Sequence, residues 1–149
     1  MFSRLKTLAL CLIVVASLGL VGTAWASKTV LPFRGHADAT AIIFDPQLDG
    51  VHVTVVGTGE ATHMGRCDRE EHLVLNGPAI DGTITFLSKH GELYAHVTGA
   101  FNGDGTASGT FTITGGKGRF ANASGGAEWV AVTDDGIHFS VTFQGTISY

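Results

Sequence analysis

Hydrophobic and polar residues alternate along most of the chain after residue 30, which is the pattern of β-strands that bury one face. In the last segment, the apolar residues from Phe139 to Ile147 share one face, and hydroxyl and amide residues occupy the other. Segments 92–101 and 106–114 repeat the same alternation. No stretch of ten residues in this part of the chain carries a helical stripe, so we predict strands throughout.

Turn signals separate these segments at short intervals, and they include Gly57-Thr58-Gly59 and the glycine-rich run 115–118. Such spacing is typical of a barrel or a sandwich. Gly-Thr pairs recur before strands, where glycine relieves the tight bends of a coiled sheet, and closure removes exposed sheet edges. We therefore predict an all-β fold, an antiparallel β-barrel of about eight strands, with a β-sandwich as the alternative. The eight or nine expected strands lie near residues 37–44, 51–57, 59–67, 70–76, 82–88, 92–101, 106–114, 126–133 and 137–148.

The first 26 residues have the three parts of a secretory signal peptide. Arg4 and Lys6 supply positive charge, an apolar run follows from Leu8 to Leu20, and Ala24-Trp25-Ala26 supplies small residues for cleavage. The apolar run is shorter than the roughly 20 residues of a spanning helix. We expect cleavage after Ala26, a single domain over residues 27–149, and a secreted or periplasmic protein without a stable membrane anchor.

Charge and cysteine content narrow the classes of partner. Because Arg4 and Lys6 belong to the leader, the remaining chain carries seven Lys and Arg against thirteen Asp and Glu, a net charge of −6. An acidic domain is poorly suited to phosphate contacts, so we predict no nucleic-acid binding. Cys67 is the one cysteine outside the leader. We expect it to be buried and without an intramolecular disulfide.

Several segments resemble a family of uncharacterised secreted bacterial proteins, over most of the chain that follows the leader. One of these segments has the pattern Gly-Gly-x-Gly-Arg-Phe-x-x-Ala-x-Gly, and it is similar to the turn before a late strand in allene oxide cyclase and dirigent-like barrels. This resemblance implies an eight-stranded antiparallel barrel. No position matches the substrate-binding residues of the cyclases or the acidic and basic pocket groups of dirigent proteins, so neither activity is carried over. The resembling segments are 31–35, 57–66, 114–125 and 145–148.

His63 is the main candidate for chemistry, because strand parity places it among small residues such as Ala61 and Gly65. If that face lines the interior, the imidazole could bind a ligand or act as a catalytic acid or base. A core histidine that fixes strand packing is the alternative. His63, Cys67 and His72 are weak candidates for a metal site, since their spacing on a strand is too wide for one ion. We predict no cofactor and no metal.

The carboxylates are scattered over turns and polar faces, and we expect no buried acidic pair. The leading hypothesis is a non-catalytic barrel that binds a small apolar molecule or a surface component. One alternative is a cyclase- or isomerase-like enzyme that uses His63, and another is a structural envelope or matrix protein. A homo-oligomer also stays open. Besides His63, we expect the ligand to contact Phe86, Phe101, Phe111, Trp129, Phe139 and Phe143.

Overall fold

Eight antiparallel strands form a closed barrel in a computed structural model that describes residues 28–149. Each strand pairs with the next along the chain, and β8 pairs with β1 from Leu31↔Ile147 to Thr40↔His138. The predicted barrel is confirmed. The strands are β1 (Leu31–Gln47), β2 (Gly50–Ala61), β3 (Gly65–Asn76), β4 (Ala79–Ser88), β5 (Gly91–Phe101), β6 (Thr106–Gly118), β7 (Ser124–Val132) and β8 (His138–Ser148).

The alternating pattern decides which side chains form the interior. Val141, Phe143 and Ile147 of β8 are buried, and Phe111 and Ile113 of β6 are buried with them. The polar residues between them point outward, as the sequence predicted. Burial of these faces is the main source of stability for a barrel without a disulfide.

The strands predicted at 51–57 and 59–67 are wrong in their boundaries. Gly57-Thr58-Gly59 is not a turn but lies within β2, and the turn falls at residues 62–64. The glycines are needed for the close approach of β1, because a Cβ at Gly57 would lie 2.3 Å from the Asp38 carbonyl oxygen. At Gly59 it would lie 2.1 Å from the His36 carbonyl oxygen.

The glycine-rich run 115–118 is likewise the end of β6 and not a turn. A register shift at Tyr94/Ala95 bends the β5–β6 pair at this point. The connection to β7 follows at residues 119–123.

The two ends of the barrel differ in how they are filled. At one end, called the closed end here, lie the turns 62–64, 89–90 and 119–123 together with Tyr149. The opposite, open end carries the turns 48–49, 77–78, 102–105 and 133–137. The closed end is packed with side chains that are 0% exposed, namely Phe33, Met64, Leu93, Phe120 and Ile147.

The predicted signal peptide, residues 1–26, lies outside the described residues, so its cleavage stays a prediction. Within residues 28–149, no helix is long and apolar enough to cross a membrane.

Candidate binding cavity

A cavity of about 130 Å³ occupies the interior on the side of the open end. Its lining is almost entirely aliphatic and aromatic and comes from all eight strands. The lining includes Phe44, which is 52% exposed, and the exposed Gly136 of the 133–137 turn, so the cavity reaches the surface at this end. The barrel is therefore filled at one end and hollow at the other.

Four phenylalanine rings separate the cavity from the closed end. Phe86, Phe111 and Phe143 line the cavity, whereas Phe33 does not line it and packs against the other three rings. The ring centroids of the six pairs lie 5.2–6.5 Å apart, and every pair is edge-to-face or tilted. This geometry is favourable for aromatic pairs, and the four rings form the base of the cavity.

All six aromatic residues named from the sequence line this cavity. Phe101 and Phe139 are half-buried nearer the open end, and Trp129 is 7% exposed. The indole of Trp129 has space because two glycines lie beside it. A Cβ at Gly99 would lie 2.5 Å from the Trp129 Cζ2 atom, and Gly109 is the direct register partner of Trp129. Their binding of a ligand stays a prediction.

The cavity also holds an ion pair that the sequence reasoning missed. Arg69 and Glu71 of β3 are 7% and 6% exposed, and both line the cavity. The Arg69 Nη2 atom donates a hydrogen bond to the Glu71 Oε1 atom. The guanidinium carbon also lies 5.8 Å from the centroid of the Phe86 ring. The expectation that the carboxylates lie on turns and polar faces is therefore wrong for Glu71.

Strand parity was the signal that could have found this pair. Cys67, Arg69 and Glu71 alternate with the exposed Asp68 and Glu70, so the three share the inner face of β3. Cys67 was expected to be buried, and it is. Arg69 and Glu71 share this inner face and carry opposite charges, and they are buried because each neutralises the other.

Three nitrogen donors at the cavity lack a partner in the part of the chain that the structure describes. They are the Nε and Nη1 atoms of Arg69 and the Nε1 atom of Trp129, and all three are buried from solvent. Buried N–H groups are nearly always hydrogen-bonded, because leaving one unpaired costs about 1–3 kcal/mol. A bound molecule or water with acceptor oxygens would satisfy them.

His63 lies outside the cavity, in the turn between β2 and β3. Its backbone has a φ of 69°, which is uncommon for a residue other than glycine. The ring Nε2 atom donates a hydrogen bond to the Pro32 carbonyl oxygen at 2.9 Å. The ring also packs edge-on against Tyr149 with centroids 5.8 Å apart. The condition for an interior His63, a strand continuous through residues 59–67, is not met, because a turn interrupts the strand there.

The three weak metal candidates are not brought together. Cys67 faces the interior, His72 is exposed with its Nε2 atom 3.2 Å from a Glu70 carboxylate oxygen, and His63 lies in its turn. Among residues 28–149, no group of three or more His, Cys, Asp or Glu side chains could hold a metal ion. Burial raises the pKa of the Cys67 thiol, which keeps it protonated and weakly nucleophilic.

Comparison with known proteins shows similarity in fold and not in sequence. No family model matches the sequence, and no curated protein sequence matches it. One similar solved structure is that of a pterocarpan synthase dirigent protein, with a TM-score of 0.52 and 10% sequence identity. The match covers 82% of this chain and 86% of that chain. An identity this low shows the fold alone, so the chain has a dirigent-like, eight-stranded barrel fold.

Proposed function

We propose that this protein is a non-catalytic binding barrel that holds a small, mainly apolar molecule in the cavity at its open end. The observation that carries the proposal is the cavity of about 130 Å³ in a barrel whose closed end is fully packed. Unfilled apolar space costs stability, so an interior that is packed at one end and hollow at the other favours a binding role. The dirigent-like fold supports a barrel that binds and orients a molecule.

The size and lining of the cavity favour a molecule built on one ring. Apolar cavities of about 150 Å³ bind benzene in other proteins. Seven aromatic side chains line this cavity, and their edges and faces suit an aromatic or alicyclic ring. Because the lining reaches the surface at Phe44 and Gly136, the molecule has a route into the barrel.

Titration with isopropylbenzene, followed by ¹H–¹⁵N NMR, tests the proposal. We expect the indole N–H signal of Trp129 and the amide signals of cavity residues to shift, while those of the closed end stay in place. Ala131 lines the cavity, so Ala131→Leu would fill part of the space and weaken binding. The matched control is Ala121→Leu, at an exposed position of the 119–123 turn. No shift with isopropylbenzene or with its oxygen-bearing analogue acetophenone, at any concentration up to saturation of the probe, would refute the proposal.

A cyclase- or isomerase-like enzyme is the second candidate, and the buried Arg69–Glu71 pair is the observation that favours it. A carboxylate in an apolar cavity can exchange a proton with a bound molecule, whereas His63 lies outside the cavity. The protein of similar fold is named a synthase. Native mass spectrometry of protein purified from its host would identify a retained molecule. Conversion of that molecule by the wild type but not by Glu71→Gln would favour the enzyme.

The third class, a structural envelope or matrix protein, is less well supported, because we expected such a protein to have a filled interior. Export through the signal peptide of residues 1–26 stays part of the proposal. It would place the barrel in the periplasm or outside the cell.

A further inference from the structure

We propose that the cavity selects an electrically neutral molecule that carries at least one hydrogen-bond acceptor oxygen, and that it discriminates against anions. This inference rests on the proposed binding function and adds the polarity and charge of the ligand. Two independent observations carry it. One is the set of unpartnered donors on Arg69 and Trp129, and the other is the distribution of charge over the two ends of the barrel.

The donors lie on opposite sides of the barrel. Arg69 is on β3 and Trp129 is on β7, and three strands lie between them in either direction around the closed sheet. Both side chains are 93% buried, since each is 7% exposed, and both line the cavity. A molecule in the cavity is therefore bordered on two walls by side chains that carry buried N–H donors. An acceptor oxygen can reach one of them while its carbon skeleton contacts the aromatic lining.

The unpartnered polar groups of the cavity lining are hydrogen-bond donors, so they favour a ligand that accepts hydrogen bonds over one that only donates them. Arg69 and Trp129 can only donate hydrogen bonds. Glu71 is the one acceptor side chain among the charged lining residues, and one of its oxygens already accepts from Arg69. A carbonyl, ether or phenolic oxygen would accept a hydrogen bond from a buried donor, while a pure hydrocarbon would leave the donors unpaired.

The charge inside the cavity is balanced, because Arg69 is paired with Glu71. The surface around the open end is not balanced. It carries six exposed aspartates and no Lys or Arg: Asp45, Asp49, Asp81, Asp104, Asp134 and Asp135.

Among residues 28–149, the exposed Lys and Arg side chains all belong to the other end of the barrel. They are Lys28, Arg34, Arg66, Lys89, Lys117 and Arg119. Histidines near the open end, His52, His96 and His138, each contact an aspartate. An anion that approaches the cavity therefore meets a negative potential, which lowers its concentration at the entrance. The unpartnered guanidinium nitrogens do not by themselves make this an anion site.

Three compounds of the same size separate the effect of an acceptor oxygen on binding from the effect of a negative charge. Isopropylbenzene, acetophenone and benzoate each carry a three-atom branched substituent on one benzene ring, and they differ only in polarity and charge. Their dissociation constants are measured by NMR titration in about 10 mM and about 300 mM salt.

We expect acetophenone to bind at least about tenfold more tightly than isopropylbenzene, because its oxygen satisfies a buried donor. Benzoate should bind at least about tenfold more weakly than acetophenone in low salt, and added salt should reduce that difference. Trp129→Phe keeps an aromatic ring but removes the indole donor. It should reduce the preference for acetophenone over isopropylbenzene without abolishing the binding of the hydrocarbon.

A double variant, Asp45→Asn/Asp134→Asn, tests the charge of the open end without touching the cavity. It should strengthen benzoate binding in low salt and leave acetophenone unchanged.

The outcomes distinguish this inference from the proposed function. If none of the three compounds binds, the binding function itself fails. If isopropylbenzene binds as tightly as acetophenone, the donors do not select an acceptor, although the binding barrel stands. Benzoate that binds as tightly as acetophenone in low salt overturns the exclusion of anions.

Discussion

Arg69 donates a hydrogen bond to Glu71 inside the barrel, two residues further along the same strand. The two side chains share the inner face of β3 because residues i and i+2 of a strand point the same way. Burying one charge without the other would be very costly, but as a pair they tolerate the apolar surroundings. Within the part of the chain that the structure describes, two guanidinium nitrogens of the pair have no partner, at a cavity that is mainly apolar.

Removing either member of the pair should destabilise the protein strongly. We expect Arg69→Met or Glu71→Leu to lower the free energy of unfolding by about 3–5 kcal/mol, because each leaves an uncompensated buried charge. The double variant Arg69→Met/Glu71→Leu should recover most of that loss. Urea unfolding of the four proteins gives the coupling energy. Single losses that simply add in the double variant would show that the two charges do not depend on each other.

The alternation of the strands was sufficient to predict an all-β fold and the buried faces of its later strands, and the recurring Gly-Thr pairs favoured a barrel over a sandwich. The apolar faces of β6 and β8 were predicted from the sequence, because each strand has one solvent-exposed face and one buried face. The same rule would have placed Arg69 and Glu71 inside, had β3 been recognised as one strand from Gly65 to Asn76. Gly57-Thr58-Gly59 suggested a turn too early, so the position of the true turn at His63 was missed.

The cavity in the barrel could not be predicted from the hydrophobic pattern of single strands. The phenylalanine layer, formed by Phe33 with Phe86, Phe111 and Phe143, comes from four strands that are distant in the sequence. Whether such side chains fill a barrel or leave a space depends on their heights along the axis. That height is set by the stagger of the strands and not by the sequence pattern of any one of them.

His63 should contribute to stability through its turn and not through the cavity. His63→Leu removes the hydrogen bond to the Pro32 carbonyl oxygen and keeps a side chain at positive φ. We expect a loss of about 1–2 kcal/mol in the free energy of unfolding. The control His36→Leu lies on the exposed face of β1 and should change it by less than about 0.5 kcal/mol.

The same His63→Leu protein should bind isopropylbenzene as the wild type does. A loss of probe binding without a loss of stability would return His63 to the list of ligand contacts.

Asp135 should make the 133–137 turn sensitive to acid. Its Oδ1 atom accepts hydrogen bonds from the backbone N–H groups of Ile137 and His138, each at 2.8 Å. The hydrogen bond from the His138 ring is the main reason that the pKa of this carboxyl lies well below its ordinary value of 3.8. The stability that the carboxylate provides is therefore complete above that ordinary value and is lost as the pH falls through the lowered pKa.

Urea unfolding of the wild type and Asp135→Asn over about pH 6 to about pH 2 checks this expectation. The stability advantage of the wild type should be constant near neutrality and shrink below about pH 4. Asp134→Asn is the control, because the Asp134 side chain makes no hydrogen bond within the described residues. An advantage that does not change with pH would contradict the assignment.

Export should remove the leader predicted at residues 1–26. Expression of the full chain in a bacterium with a general secretory pathway should give a soluble exported product that begins at Ser27. N-terminal sequencing of that product identifies the cleavage site. Membrane-bound material that still begins at Met1 would refute the predicted cleavage.

A crystal structure of the protein soaked with acetophenone tests the central claim most directly. The account predicts density for the ring within the phenylalanine-lined cavity, with the carbonyl oxygen at hydrogen-bond distance, about 2.7–3.2 Å, from a nitrogen of Arg69 or Trp129. An empty cavity at saturating acetophenone would contradict the account, and so would a bound molecule whose oxygen faces away from both side chains.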